Sequence, residues 1–140
     1  MPAKTSSKYS PKKKVPAKTF PCTVICRFTV KADREKDFVK VLSRDWPGLL
    51  RLGLATKDEP VVYRHVDASG GPVYFQIFHW VSEGAVGSAH TNPEVMASWG
   101  AMDPLCEERC GHAKWEFPHV QQIAMNWVGL RGLSGATGRI

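Results

Sequence analysis

The stretch from Val73 to Trp99 concentrates side chains that could do chemistry: Phe78, Trp80, His90 and Trp99. An imidazole titrates near 6.5, so it can take and return a proton at neutral pH. Indole and phenyl rings supply flat apolar walls, and an indole keeps one N–H for a polar partner. Together these groups describe a small lined pocket. His90 is the candidate base, because it shares a helix face with Val86 and Ala89. The competing role for it is a core histidine bonded to a backbone carbonyl. Trp80, Trp99, Phe78, Tyr63 and Cys26 are the candidate substrate-binding residues. Arg27, His65 and Tyr63 lie on strands, where some face the pocket and the others serve an interface or its rim. His79 alternates to the strand face opposite Trp80, so only one of the two can line a given pocket.

Positioning these groups takes a small set of elements. Residues 20–31 alternate as a strand, with Cys22, Val24, Cys26, Phe28 and Val30 on one face and Thr23, Ile25, Arg27 and Thr29 on the other. Asp33 is the expected N-cap for a helix whose apolar face uses Phe38, Val41 and Leu42. That helix should end near Trp46-Pro47-Gly48, since the residue before a proline is pushed from the helical region, with a further turn through Leu49-Leu50. Residues 60–67 read as a second strand, Ala68 to Gly71 as a hairpin loop, and 73–81 as a third strand. Ser82 caps the next helix, and Asn92-Pro93 restarts it with Asn as cap and Pro at the first helical position. Val95, Trp99, Met102 and Cys106 recur at helical spacing, and Asp103-Pro104 begins a turn that stops at Gly111. Residues 114–123 alternate as a last strand whose Pro118 favours a sheet edge.

The order is β-α-β-β-α-β, an α+β, ferredoxin-like arrangement with an antiparallel sheet and two helices on one face. The other face, with Ile25 and Arg27, needs a cover, and a second copy packed sheet to sheet supplies it. The expected assembly is therefore a homodimer.

Other chemistries find less support. Cys106, Cys110 and His112 form a C-x3-C-x-H cluster, but a structural zinc site wants four ligands in two well-spaced pairs, so no metal site is assigned. The cluster reads as a helix end with buried thiols. Cys22 and Cys26 share a strand face about 13 Å apart at strand rise, too far to bridge, and read as small buried hydrophobes. The sequence has no G-x-G-x-x-G, no P-loop and no H-E-x-x-H to argue for a nucleotide or a zinc hydrolase.

The net charge of +6 comes from one end of the chain. Six lysines lie in the first nineteen residues with no acid among them, and from Phe20 onward 13 basic residues meet 13 acidic ones. Residues 1–19, rich in Lys, Ser and Pro, are expected to be disordered, 20–125 to form the folded domain, and 126–140 to be a loose extension. A polybasic tail can touch nucleic acid or another polyanion through phosphate contacts, although a merely solvated tail is the commoner case. Without an apolar signal region or a segment of membrane-spanning length, the expected location is the cytoplasm, with no membrane partner.

From Val24 to Ile123 the chain resembles the antibiotic biosynthesis monooxygenase family of dimeric α/β barrels. The residues that carry the likeness are Phe75-x-x-Phe78-x-Trp80-x-Ser82-Glu83-x-Ala85, then His90-x-x-Pro93. In that family an aromatic ends the third strand, a Ser/Asp-Glu pair opens the helix, and a His precedes a Pro by three residues. The resemblance implies a dimeric barrel and a cofactor-independent monooxygenase that uses a phenol, quinol or polyketide-like aromatic and molecular oxygen. The alternative is a non-catalytic dimeric ligand-binding or interaction module on the same scaffold. Many members carry a Glu two residues before the strand-ending aromatic, where this chain has Phe78. Haem-degrading relatives use an Asn, a Trp and a His at positions that hold Cys26, Ala89 and Trp99 here, which argues against haem.

Overall fold

The computed structural model describes residues 22–129. The expected disordered tail over 1–19 lies outside the described residues, as does the extension beyond 129. A compact unit spans Phe20–Gln121, and residues from Gln122 belong to a separate unit whose described part has no helix or strand.

The compact unit is built from β1 (Cys22–Thr29), α1 (Glu35–Arg51), β2 (Val61–Val66), β3 (Pro72–Trp80), α2 (Glu83–His90), α3 (Pro93–Gly100), β4 (Trp115–Glu116) and β5 (His119–Val120). The sheet order is β2-β3-β1-β4, with β5 also on β1, and every pairing is antiparallel. This is the ferredoxin-like α+β topology read from the sequence. The alternation in β1 and β3 sorts their side chains as expected. Cys22, Val24, Cys26 and Phe28 are buried on one face with Tyr74, Gln76, Phe78 and Trp80, and α1 adds Phe38, Leu42 and Leu49 to the same core.

Several local expectations shift. Asp33 does not cap α1 with its side chain; it sits in a 3-10 turn over Ala32–Arg34. Pro47 lies inside α1 rather than ending it. The lost N–H costs one hydrogen bond, but Leu49 is 1% exposed, and its burial holds the last turn in place. The helix stops where Gly53 takes a left-handed φ of 76° and donates to the Leu50 carbonyl. The turn after α3 is shorter than expected: a 3-10 turn over Asp103–Leu105 gives way to extended chain at Cys106, which bridges Val30. The last strand is two short pieces in one register, Arg27 opposite Glu116 and Thr23 opposite Val120. The gap falls at Pro118, which has no N–H to give the ladder, although its carbonyl still accepts from Ile25.

Ser82 and Asn92 do cap α2 and α3: Ser82 accepts from the Ala85 N–H, and Asn92 from those of Glu94 and Val95. The hairpin between β2 and β3 is fastened by Asp67, whose Oδ1 accepts from the Ser69 and Gly71 N–H groups. Arg109 then reaches in, donating to Asp67 Oδ2 at 2.8 Å and to the carbonyls of Val30 and Pro72. Its guanidinium fills the space over Gly71, where an added Cβ would meet Arg109 Cζ at 2.4 Å.

Gly71→Ala should therefore expel Arg109 and destabilise the fold by about 2 kcal/mol, the usual cost of overpacking. Urea denaturation checks this; an unchanged midpoint would show that the Arg109 latch carries no stability.

Candidate functional site

The inner sheet face is not filled solid. Between it and the helices lies a cavity of about 530 Å³. Its aromatic walls come from three elements. β3 contributes Phe78 and Trp80, whose rings meet at 5.0 Å; α3 contributes Trp99, edge-on to Trp80 at 6.4 Å; and the last strand contributes Trp115 and Phe117. The in-register pairing of β4 and β5 with β1 sets Trp115 opposite Phe28 and His119 opposite Val24, which brings both onto the inner face.

The cavity gathers five of the six residues expected from the sequence: Cys26, Phe78, Trp80, His90 and Trp99. Tyr63 is the exception and is corrected here. It pairs with Phe75 on the outer sheet face and is 59% exposed, because β2 is an edge strand and Tyr63 points away from Gln76 and Phe78. His65 lies beside Phe75, and Arg27 sits over the Phe75 ring at 5.8 Å, so these too belong to the outer face. His79 is on that face as well, bonded to Thr23 at 2.9 Å.

His90 sits at the end of α2, exposed, with its ring 5.2 Å from Trp99. Its Nδ1 is 2.8 Å from the Val86 carbonyl oxygen. A carbonyl only accepts, so Nδ1 carries the proton, and the neutral ring keeps Nε2 as a bare acceptor. The backbone bond that marks a structural histidine thus also sets the tautomer a base requires.

Three polar groups on the cavity go beyond the sequence reading, in which Trp80 is a wall and Gln76 and Asp45 have no part. Gln76, opposite Cys26 in the ladder and 2% exposed, makes no hydrogen bond through its carboxamide among the described residues; its buried Oε1 is unpaired. Trp80 Nε1 is likewise buried without a partner. Buried polar atoms are normally satisfied, so two such orphans on one cavity fit a ligand that pairs them. The third group is Asp45, on α1. It is 6% exposed and accepts a hydrogen bond from Trp99 Nε1 at 3.0 Å, and no cation faces it among the described residues. Burial pushes its carboxyl up to about 6, against the lowering effect of the Trp99 N–H. Cys26, close enough to feel the Asp45 charge, is pushed up mainly by its own burial and keeps its proton. A polar residue at an otherwise apolar helix position is the signal that could have found Asp45, but Asp45 stands beside Arg44 and reads as part of a solvated face.

The cysteine cluster comes apart. Cys106 is buried against β1 with its thiol raised to about 11, chiefly by burial, whereas Cys110 is exposed at a φ of 53° and is not the buried thiol expected. His112 turns to Glu116 at 3.2 Å. Among the described residues no group of three His, Cys, Asp or Glu is placed to hold a metal ion. No helix among them is long and apolar enough to cross a membrane.

No family model matches the sequence, and no curated protein matches it. Solved structures do match. A single-site variant of SnoaB, a cofactor-independent oxygenase from Streptomyces nogalater, superposes with a TM-score of 0.54 at 18% identity, over 74% of this chain and 94% of that one. A protein provisionally assigned as an antibiotic biosynthesis monooxygenase from Caulobacter crescentus CB15 gives 0.55 at 12%, over 76% and 92%. A conserved protein from Methanosarcina mazei Go1 gives 0.53 at 8%, over 75% and 95%. The chain thus has the fold of the antibiotic biosynthesis monooxygenase structures, as its sequence resemblance implied.

The buried carboxyl makes a stability prediction. Asp45 ionises near 6 in the fold and near 4 when unfolded, so the fold holds its proton more tightly. Its penalty is absent below about pH 4, grows through pH 4–6, and is full above that, at roughly 2–3 kcal/mol. Asp45→Asn keeps an oxygen for the Trp99 N–H and removes the charge. Urea titrations should give the variant equal stability near pH 4 and the full gain at pH 7.5; a less stable variant at pH 7.5 would contradict the assignment.

Proposed function

We propose that this protein is a cofactor-independent oxygenase that binds a small phenol or quinol in the inner cavity and uses that substrate as the reductant of molecular oxygen. The observation that carries the reading is an aromatic-walled cavity of about 530 Å³ whose lining residues include Gln76, with an unpaired carboxamide oxygen, and Trp80, with an unpaired indole N–H. Likeness of fold to SnoaB, described as a cofactor-independent oxygenase, supports it by analogy.

Oxygen accepts an electron readily from a phenolate and poorly from a phenol, so the protein's task is to remove one proton and hold the anion dry. His90 Nε2 takes the phenol proton. The Trp80 N–H donates to the anion, the unpaired Gln76 Oε1 accepts from a second hydroxyl of a quinol, and Trp80, Trp99, Phe78 and Cys26 provide the walls. The phenolate passes one electron to oxygen, the two radicals join through a new C–O bond, and the peroxide recovers the proton from His90. The hydroperoxide then loses water to leave a quinone. Overall, one phenol and one O₂ give one quinone and one water.

The competing reading is a non-catalytic ligand-binding module. The feature that favours it is the exposure of His90, which makes no hydrogen bond beyond Val86 among the described residues.

An oxygen electrode separates the two, with 1-naphthol and hydroquinones as substrates and added flavin and iron as controls. The oxygenase consumes oxygen without either additive, and His90→Gln lowers turnover about 10²- to 10⁴-fold while the protein stays folded. Binding of 1-naphthol without oxygen uptake would leave the module. Full activity in His90→Gln would move proton transfer to Asp45 or His119, which also line the cavity, since Tyr63 and His65 face away from it.

We also propose that the outer sheet face joins a second copy. Val61 and Tyr63 are 48% and 59% exposed there, alongside half-buried Ile25, Phe75 and Ile77. Sedimentation should show a dimer at micromolar concentration, with an interface above roughly 1,000 Å². A monomer at that concentration would remove the barrel assembly.

A further inference from the structure

We propose that Asp45 is a second catalytic group of the cavity, the acid that protonates the departing oxygen when the substrate hydroperoxide breaks down to a carbonyl. This rests on the oxygenase reading and adds the half-reaction that His90 cannot complete alone.

Two carboxylates among the described residues are largely covered: Asp67 is paired with Arg109, whereas no lysine, arginine or histidine pairs with Asp45 there. An unpaired buried carboxyl weakens a core in which an apolar residue of similar volume would serve better, so fold stability does not account for it. Its geometry favours proton delivery. Trp99 Nε1 can only donate, so Asp45 Oδ1 acts as acceptor in either protonation state and the transferable proton is confined to Oδ2. Asp45 also borders two cavities: the inner one, and a groove of about 580 Å³ between α1 and α3. The rim of that groove carries Arg51 and Glu94, whose side chains are 60% and 53% exposed. The carboxyl therefore meets substrate on one side and recovers its proton from the solvated side.

Two titratable groups in unlike surroundings divide the chemistry. His90, exposed and with Nε2 bare, accepts; Asp45, desolvated and holding its proton into the mildly acidic range, donates. In the second half-reaction the carbon-bound proton leaves to His90 and the C=O bond forms. The O–O bond breaks with its electron pair on the distal oxygen, which takes the Asp45 proton and leaves as water. Asp45 is then reprotonated through the groove, and His90 gives its proton to solvent. No further oxidant or reductant is consumed.

The test follows products rather than rate alone, using the full chain, 1-naphthol and oxygen, with the quinone and released peroxide both quantified. Wild type is expected to give quinone and water. Asp45→Asn is expected to keep taking up oxygen but to release hydroperoxide, raising peroxide per oxygen consumed ~10-fold or more. Asp45→Glu retains a carboxyl and is expected to return the quinone, so the result does not hang on one variant. Trp99→Phe breaks the contact but leaves the acid, and should release no extra peroxide at whatever rate it turns over. Quinone without peroxide from Asp45→Asn, or equal peroxide from Trp99→Phe, would overturn the proposal and leave the oxygenase reading standing. A wild type that takes up no oxygen would overturn both.

Discussion

An unpaired carboxylate in an apolar core is costly, and the hydrogen bond from Trp99 Nε1 to Asp45 is what makes this one tolerable. It ties the middle of α1 to the end of α3 and fixes the Trp99 indole edge-on to Trp80. It also sets the surface against which the His90 ring packs. Four groups on four elements are thereby held around one cavity.

The cavity itself follows from the lengths of the elements. β3 and β1 bury a continuous inner face from Cys22 to Phe28 and from Tyr74 to Trp80. Only α1 is long enough to cover such a face; α2 and α3 are two turns each and carry few large side chains toward it, Ala85, Ala89 and Val95 being their buried residues. Small residues over large rings leave room, and the last strand closes one side of that room with Trp115 and Phe117. The two unpaired atoms, Gln76 Oε1 and Trp80 Nε1, belong to residues that line that room.

Features set by local chemistry were legible in the sequence. Strict alternation in β1 and β3, the Ser82 and Asn92 caps and the Asn92-Pro93 restart each express a short-range rule, and each stands in the structure. The gathering of Cys26, Phe78, Trp80, His90 and Trp99 was legible because strand and helix periodicity puts them on the inward sides of four elements, β1, β3, α2 and α3. What tertiary contacts decide was not legible. Pro47 stays within α1 because Leu49 is buried beyond it, and Tyr63 faces outward because its strand register aligns it with Phe75. Asp45 is buried because Trp99, 54 residues away, reaches it. No window of neighbouring residues contains any of those three facts.

The central claim is that the bound aromatic, and no other molecule, supplies the electrons that reduce oxygen. Oxygen-18 labelling tests it most directly: chelator-treated protein, 1-naphthol and ¹⁸O₂, with the quinone and water analysed by mass spectrometry. The account predicts one labelled oxygen in the quinone and the other in water. A quinone with unlabelled oxygen, or label recovered only as hydrogen peroxide, would contradict it.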